Sequence, residues 1–234
     1  MAPFVRTTVS EEIYRTLREE ILSLRFKPGE ELNLQVLCDQ LQVSRSPVRD
    51  ALMRLASDNL VDIFPQRGTR VSLINLKEVE EERFLRKSLE ESAVKKLIYQ
   101  GKEIHWDEMR QIIKKQQEAQ ETNDFLAFLA ADDTFHRTIF DVIGMQRIWQ
   151  IIEAQGGNYH RIRLLSFYEK NVISHIIDEH TNMVDALKNK RLEELLDLQN
   201  NHLSKLLQET EIIVARYPHY FTKQGTPTLR GVTK

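Results

Sequence analysis

The fold of the N-terminal part of this chain is decided by the stretch Val43-Ser44-Arg45-Ser46-Pro47-Val48-Arg49-Asp50-Ala51-Leu52. Ser44 can cap a helix that has Pro47 in its first turn, where the missing amide hydrogen of proline costs nothing. Apolar residues then recur on one side of that helix, at Val48, Ala51, Leu52 and Leu55. Arg45 and Arg49 are four residues apart and therefore project together from the opposite, solvent-facing side.

Two helices are predicted before this stretch and a β-hairpin after it. Apolar residues at helical spacing indicate a helix over 10–24, which Ser10 would cap, and a shorter helix over 34–41. Short runs over 60–64 and 69–73 are typical of strands, and they flank the turn Pro65-Gln66-Arg67-Gly68. Three helices followed by a hairpin describe a winged helix-turn-helix.

The rest of the chain shows only helical periodicity, from residue 76 to about residue 215. Breaks interrupt this periodicity near Gly101, Asn123, Gly144, Gly156-Gly157 and Asn189-Lys190. They leave about six amphipathic helices, as expected for an antiparallel bundle. We therefore predict a mainly α protein, with a winged helix-turn-helix domain over 1–75 and an all-helical domain over 76–216. Residues 217–234 contain prolines, glycines and basic residues, so we predict a mobile tail there.

Composition restricts the class of protein. The chain is 41% hydrophobic and 29% charged, without an unbroken apolar run long enough to cross a bilayer, which argues against a membrane protein. Its start, Met1-Ala2-Pro3-Phe4-Val5-Arg6, lacks the apolar stretch of a secretory signal, and Cys38, predicted as a core residue, is the only cysteine. We therefore expect a cytoplasmic protein. The net charge of -2 requires that any contact with nucleic acid comes from a local basic patch.

The arginines of the third helix have the chemistry of a DNA-reading surface. Guanidinium forks suit bidentate contacts with guanine in the major groove, whereas the hydroxyls of Ser44 and Ser46 suit phosphate. An arbitrary pair of exposed arginines is more often a solvated helix face. Here a short helix, a tight turn, a capped helix and the hairpin tip Arg67-Gly68 together form one docking device, in which the tip reaches the minor groove or the backbone.

Residues 8–73 resemble the GntR family of bacterial regulators, whose signature is Val-Ser-Arg-Thr-Pro-Val-Arg-Glu-Ala-Leu. The resemblance implies that Arg45 and Arg49 contact bases or phosphates. It also implies that Ser44 and Ser46 assist at the DNA backbone, and that Gly68 lets the wing approach DNA.

The sequence departs from that family pattern in four places. Ser46 replaces threonine and Asp50 replaces glutamate, which are mild changes. Gln42 stands where the family usually has glycine in the turn, and Gln35 occupies a helix position that is basic in some members. Gln35 is accordingly included among the DNA-facing residues, and the operator sequence cannot be carried over from relatives.

Histidines at helical spacing indicate a metal site in the second domain. Asp132 and His136 are four residues apart on a strongly periodic helix, so their side chains project from neighbouring turns of one face. His180 and His202 lie among apolar residues on two later helices, and the four side chains can converge inside a bundle. A lone histidine on an apolar helix face is more often a hydrogen-bonded core residue, so the prediction depends on the joint pattern.

That pattern, together with Arg86-Lys87-Ser88-Leu89-Glu90, resembles the FCD ligand-binding domain of FadR-type GntR regulators over residues 76–215, and six helices favour its VanR-like subgroup. The resemblance implies a divalent metal held by the aspartate and the three histidines, with Arg86 near an effector. Such ligands suit zinc foremost, and also nickel, iron or manganese, and they leave a position open for water or an organic acid. Arg161 and Arg163 are candidates to hold the effector carboxylate, with a surface position as the alternative for either.

Three classes of protein account for parts of this sequence. We favour a homodimeric transcriptional regulator, not an enzyme, whose recognition helices meet the half-sites of a pseudo-palindromic double-stranded DNA operator. By resemblance it is a repressor that a small organic-acid effector releases. The alternative is a helical-bundle metalloenzyme whose three histidines and one aspartate activate water, although no His-Glu-x-x-His pair or placed carboxylate base supports it. A helical scaffold explains the bundle but not the arginines and the wing.

Overall fold

The computed structural model describes residues 8–169 and 172–223, without the side chains of residues 206–209. It divides into two compact units. The first runs to Leu76 and also includes the segment that starts at Tyr217, and the second comprises Lys77–Arg216. Within the described residues, no helix is both long and apolar enough to cross a membrane.

The first unit is a winged helix-turn-helix. Its helices are α1 (Val9–Leu22), α2 (Leu34–Leu41) and α3 (Arg45–Ser57), and its strands are β1 (Glu31–Leu32), β2 (Val61–Phe64) and β3 (Gly68–Val71). The strands form one antiparallel sheet in the order β1-β3-β2, in which Thr69 lies opposite both Leu32 and Ile63. The sequence predicted only the β2-β3 hairpin, because a strand of two residues carries no periodic signal.

Helix α3 supplies the centre of the core of this unit. Its apolar stripe is buried at every position, Val48, Ala51, Leu52 and Leu55, and belongs to one cluster with Leu17 and Ile21 of α1. Thr8, not Ser10, caps α1, and its hydroxyl accepts a hydrogen bond from the Glu11 N–H at 3.2 Å. Ser10 cannot serve because a cap needs extended backbone, and Ser10 already lies inside the helix.

The turn between α2 and α3 keeps the left-handed backbone that usually calls for glycine. Gln42 has φ 55° there and ends α2. This conformation costs a residue with a Cβ atom on the order of 1 kcal/mol. The Gln42 amide offsets part of that cost, because it donates to the Asp39 carbonyl at 2.8 Å.

The described part of the second unit contains seven helices rather than about six. They are α4 (Leu76–Tyr99), α5 (Trp106–Glu121), α6 (Phe125–Val142), α7 (Gln146–Gln155), α8 (Gly157–Ser166), α9 (Val172–Lys188) and α10 (Leu192–Arg216). The missed break follows Ser166, where no glycine or proline marks the end of α8. The predicted class, a winged helix-turn-helix plus a helical bundle, is confirmed. The count of seven removes the reason for favouring the VanR-like subgroup.

Residues 217–223, which follow α10, pack within the first unit. A 3-10 helix, Pro218–Tyr220, leads to Phe221, which forms a parallel β-bridge with Ile74. The Ile74 N–H donates to the Tyr220 carbonyl at 2.8 Å, and both Phe221 and Ile74 are buried. The prediction of a mobile tail is therefore wrong for residues 217–223, because a buried aromatic ring and backbone bonds outweigh the local composition. Residues 224–234 lie outside the described residues.

Candidate metal centre and DNA-reading surface

Four predicted metal ligands from three helices meet inside the second unit. Asp132 and His136 come from α6, His180 from α9 and His202 from α10, and one ligand atom of each lies within 4.8 Å of all the others. The His180 Nε2 atom is 3.6 Å from Asp132 Oδ1, and the His136 Nε2 atom is 3.8 Å from Asp132 Oδ2. Two ligands bound at about 2.1 Å to one tetrahedral ion lie about 3.4 Å apart. The two distances to Asp132 are close to this value, whereas the wider separations, up to 4.8 Å, would have to shorten when an ion binds.

Hydrogen bonds to the Nδ1 atoms orient all three histidine rings. The partners lie at 2.8–3.0 Å and are Glu90 for His136, Gln116 for His180 and Glu179 for His202. Each ring consequently has its Nε2 atom left for the centre. Such outer partners fix the tautomer and the angle of ligating imidazoles.

Two of the Nε2 atoms are buried polar atoms without a partner. His136 Nε2 and His180 Nε2 have no hydrogen bond within the described residues. Burial lowers the pKa of His136 and lowers that of His180 well below its ordinary value, so both rings are neutral at pH 7. Neutral imidazole is the form that binds a metal, and an unsatisfied buried nitrogen costs about 1–3 kcal/mol. The residues present therefore fit a divalent cation.

Two of the three predicted effector arginines lie at the cluster. Arg163 donates to Asp132 and, at 2.8 Å, to Asp133, and Arg86 donates to Glu90 at 2.6 Å. Arg86 Nη2 also lies 3.8 Å from Asp132 Oδ2. Burial opposes charge on Asp132, but Arg163 and its other neighbours outweigh burial and hold the pKa of this carboxyl below its usual range. Asp132 therefore carries a negative charge.

Arg161, the third predicted effector arginine, is not brought to the cluster. It is fully buried, and it donates to the Gly157 carbonyl at 3.2 Å and to Asn158 Oδ1 at 3.0 Å. Arg161 and Arg163 are two positions apart on α8, which turns their side chains about 200° from each other. One helix face cannot carry both arginines, and the structure places Arg163 at Asp132.

A small cavity adjoins the cluster. Its volume is about 40 Å³, and its wall includes Asp132, Arg163 and His202 together with the apolar side chains of Val172 and Ile176. This volume accommodates a few water molecules. A ligand that fits without rearrangement must therefore be small.

A carboxylate of α4 fixes the first turn of α8, the helix that carries Arg163. Glu82 accepts from the Tyr159 backbone N–H at 2.7 Å and from the Asn158 side-chain amide at 3.0 Å. The same amide donates to Glu78 at 3.0 Å. Burial raises the pKa of Glu82 to about 7, against the lowering effect of these donors and of Arg161.

We expect the contribution of Glu82 to the stability of the second unit to fall as the pH rises through this titration. The folded pKa of Glu82 lies above its ordinary value of 4.5, so the folded state keeps a proton that the unfolded state releases. The contribution is therefore complete below pH 4.5 and is lost between pH 4.5 and about 7, with a total loss of about 3 kcal/mol. In thermal unfolding against pH, the stability of wild type should fall relative to that of Glu82→Gln over this range, because the other titrating groups are common to both proteins. The exposed neighbour Glu81 provides the control, Glu81→Gln, and equal profiles for all three proteins would contradict the prediction.

The predicted DNA-facing side chains of α3 are exposed together. Ser44, Arg45, Ser46 and Arg49 all face solvent at its first turns. Arg49 has no hydrogen-bond or ion-pair partner in the part of the chain that the structure describes. The Ser44 hydroxyl makes no capping bond. The Arg49 guanidinium and the Ser44 hydroxyl are thus available to a ligand. Arg45, by contrast, donates to Gln35 of α2 at 2.6 Å.

The wing tip is a tight turn between β2 and β3. Arg67 is exposed there, and its N–H donates to the Phe64 carbonyl at 3.0 Å. Gly68 has φ 99°, a conformation that side chains with a Cβ atom rarely adopt. The glycine therefore shapes the turn, while the arginine provides its positive charge.

The histidine partners were missed by sequence reasoning. The sequence pattern includes Glu90 only as the last residue of the motif that begins at Arg86, and it predicts no role for Gln116 or Glu179. Gln116 lies on α5 and meets His180 across 64 residues of sequence, a distance that no local periodicity covers. Glu179 neighbours His180 in sequence but bonds to His202 on α10, because successive helix positions point about 100° apart.

Comparison with known families gives two matches in chain order. The family described as "Bacterial regulatory proteins, gntR family" matches residues 9–71, and the family described as "FCD domain" matches residues 83–205, more than half of the chain. The first covers the winged helix-turn-helix, and the second covers all four clustered ligands.

Individual relatives cover nearly the whole chain. The HTH-type transcriptional repressor RspR of Escherichia coli is 26% identical over 92% of this chain and 95% of its own length. The Nta operon transcriptional regulator of Aminobacter aminovorans is 24% identical over 87% and 96%. Among solved structures, E. coli McbR/YncC has a TM-score of 0.72 at 23% identity, covering 91% of this chain and 100% of its own.

A second solved structure has the same fold. A putative GntR regulator of Rhodococcus sp. RHA1 has a TM-score of 0.73 at 20% identity over 90% of this chain and 100% of its own. These relatives are transcriptional regulators and not enzymes, which argues against the metalloenzyme alternative. The chain therefore belongs to the GntR family of bacterial regulatory proteins and is a DNA-binding transcriptional regulator with an FCD domain.

Proposed function

We propose that this protein is a homodimeric repressor that leaves its operator when a small organic acid binds beside a divalent metal ion in the FCD domain. The observation that carries the proposal is the pair of buried, unpartnered Nε2 atoms of His136 and His180, both within 4 Å of the Asp132 carboxylate. A cation between them would satisfy both nitrogens at once. Ordinary core histidines would instead complete their hydrogen bonds.

The chain's own residues would hold the ion and leave room for an effector. Asp132, His136, His180 and His202 would bind it, with zinc foremost among the metals that suit these ligands. When bound, the ion would supply a Lewis-acidic position for an effector oxygen. Glu90, Gln116 and Glu179 would keep the rings aligned through their hydrogen bonds to the three Nδ1 atoms.

The charge of the cluster favours an anionic effector. Two guanidinium groups face three carboxylates, which belong to Arg86 and Arg163 and to Glu90, Asp132 and Asp133. These five groups together have one excess negative charge, and a divalent cation would reverse this to one excess positive charge. A single carboxylate restores neutrality, which a buried site requires. Arg163 also lines the adjoining cavity.

On the DNA side, the proposal assigns the DNA-facing surface to Gln35 on α2, to the exposed first turns of α3 and to the wing. The assigned residues are Gln35, Ser44, Arg45, Ser46, Arg49, Arg67 and Gly68. Two copies would place their recognition helices in successive half-sites of a pseudo-palindromic operator, in the cytoplasm. A relative named as a repressor supports repression as the mode of action.

The test joins metal content, stoichiometry and DNA release. Native mass spectrometry with elemental analysis should show a dimer with one divalent ion per chain. Anisotropy on a duplex selected from a randomised library should then show that one of acetate, pyruvate, lactate, succinate or citrate weakens binding at least about fivefold. The response should disappear after the metal is removed with EDTA. A monomer on DNA, or an acid response that persists without metal, would refute the proposal.

A further inference from the structure

The side chain of Arg45 is held in place by a residue of the preceding helix. Its Nε and Nη2 atoms donate to the same atom, Gln35 Oε1, at 3.2 and 2.6 Å. The other end of the Gln35 amide donates to Asp39 Oδ1 at 2.8 Å. Three side chains of the helix-turn-helix thus form one hydrogen-bonded chain that ends on an arginine of the recognition helix.

Asp39 determines which end of the Gln35 amide faces Arg45. A carboxylate can only accept hydrogen bonds, so it selects the NH2 end of the amide and directs the oxygen away from itself. Gln35 and Asp39 are four residues apart on α2, which places them on neighbouring turns of one face. The oxygen therefore points at Arg45 because of a contact within α2 itself.

This contact occupies one of the two forked edges of the guanidinium group. A guanidinium has five N–H donors, and Gln35 takes the edge formed by Nε and Nη2. The end edge, formed by Nη1 and the second Nη2 hydrogen, keeps two parallel donors. Parallel donors match the O6 and N7 acceptors of guanine in the major groove.

We propose that Gln35 and Asp39 are positioning residues that make Arg45 a guanine reader through its end edge. Gln35 therefore acts on sequence specificity through Arg45 rather than by touching a base. The proposal rests on the assignment of Arg45 as a base contact and adds the reason for its orientation. A basic side chain at position 35 would instead repel Arg45 and bind DNA directly, so glutamine here changes which residue reads the sequence.

The experiment measures discrimination between bases. A duplex is selected from a randomised library with wild-type protein, and affinities are compared for this duplex and for versions in which each guanine is replaced by adenine. Gln35→Ala should reduce the guanine preference at one position per half-site about tenfold. Its affinity for an unrelated duplex should stay the same. Gln35→Glu keeps the acceptor and should retain the preference, Asp39→Ala should reduce it, and Gln40→Ala, exposed on the same helix, should not change it.

The double variant separates this inference from the assignment on which it rests. In an Arg45→Ala background, Gln35→Ala should produce no further loss of discrimination. If Arg45→Ala itself leaves discrimination intact, the base-reading role of Arg45 is wrong. If Arg45 matters but Gln35→Ala leaves the preference unchanged, or weakens all duplexes equally, only the positioning role is overturned.

Discussion

His180→Ala should lose the stoichiometric metal and, with it, the thermal stabilisation that metal gives to the wild-type protein. The imidazole contributes one of four clustered ligands, and its removal leaves Asp132 facing two histidines. Changing an outer partner of a ligand already costs about 10–100-fold in affinity, so loss of the ligand itself should cost at least about 100-fold. A metal at 100 times its Kd stabilises by about 2.7 kcal/mol, roughly 5–10 °C in Tm, and this shift should vanish.

The measurements are elemental analysis and thermal unfolding with and without added zinc. His175→Ala is the matched control, because it removes an exposed histidine from the same helix. His202→Ala should behave as His180→Ala does. If all variants carry the same stoichiometric metal as wild type, or if wild type binds none after supplementation, the clustered histidines are ordinary core residues.

Arg49→Ala should weaken binding to the selected duplex by about 5–150-fold, or about 1–3 kcal/mol, while leaving thermal stability unchanged. The side chain is exposed and lies outside the buried stripe of α3, so its loss removes a DNA contact without opening a cavity. A gel-shift titration at fixed salt measures the effect, and circular dichroism melting verifies the fold. Arg45→Ala should show a loss of similar size.

Lys114→Ala supplies the control for loss of one positive charge. Lys114 lies on α5 in the second unit, where its side chain is 65% exposed. It should bind the duplex as wild type does. If both arginine variants bind with unchanged affinity, the assignment of α3 as the recognition helix is wrong. If Lys114→Ala loses as much affinity as they do, the loss results from the change in net charge and not from a specific contact.

Local signals in the sequence were sufficient for the winged helix. The apolar stripe that includes Val48 and Leu55 predicted both the helix and its buried face, because a periodicity of 3.6 residues can be recognised within a single helix. The hairpin turn was equally local. By contrast, Thr8 replaced Ser10 as the cap and the end of α8 went unmarked, since both depend on backbone geometry rather than on residue type.

The metal cluster was predictable only in part. Asp132 and His136 share a helix face, and their proximity follows from spacing alone. The prediction that His180 and His202 lie at the same site depended on a family resemblance, because the sequence of one helix does not determine its distance from another helix. The wrong prediction for Arg161 has the same cause. The sequence of α8 does not show which of its faces packs inward, and that face determines the hydrogen-bond partners of Arg161.

By itself the sequence determined the winged helix, the helical bundle and the residue types of both sites, because periodicity and spacing act within one helix or hairpin. Only the tertiary structure decided which nitrogen of each histidine faces the centre, and which of Arg161 and Arg163 reaches Asp132. It alone also paired Phe221 with Ile74 and Arg45 with Gln35. These outcomes depend on hydrogen bonds and burial between elements far apart in the chain, and such contacts exist only once the elements have packed.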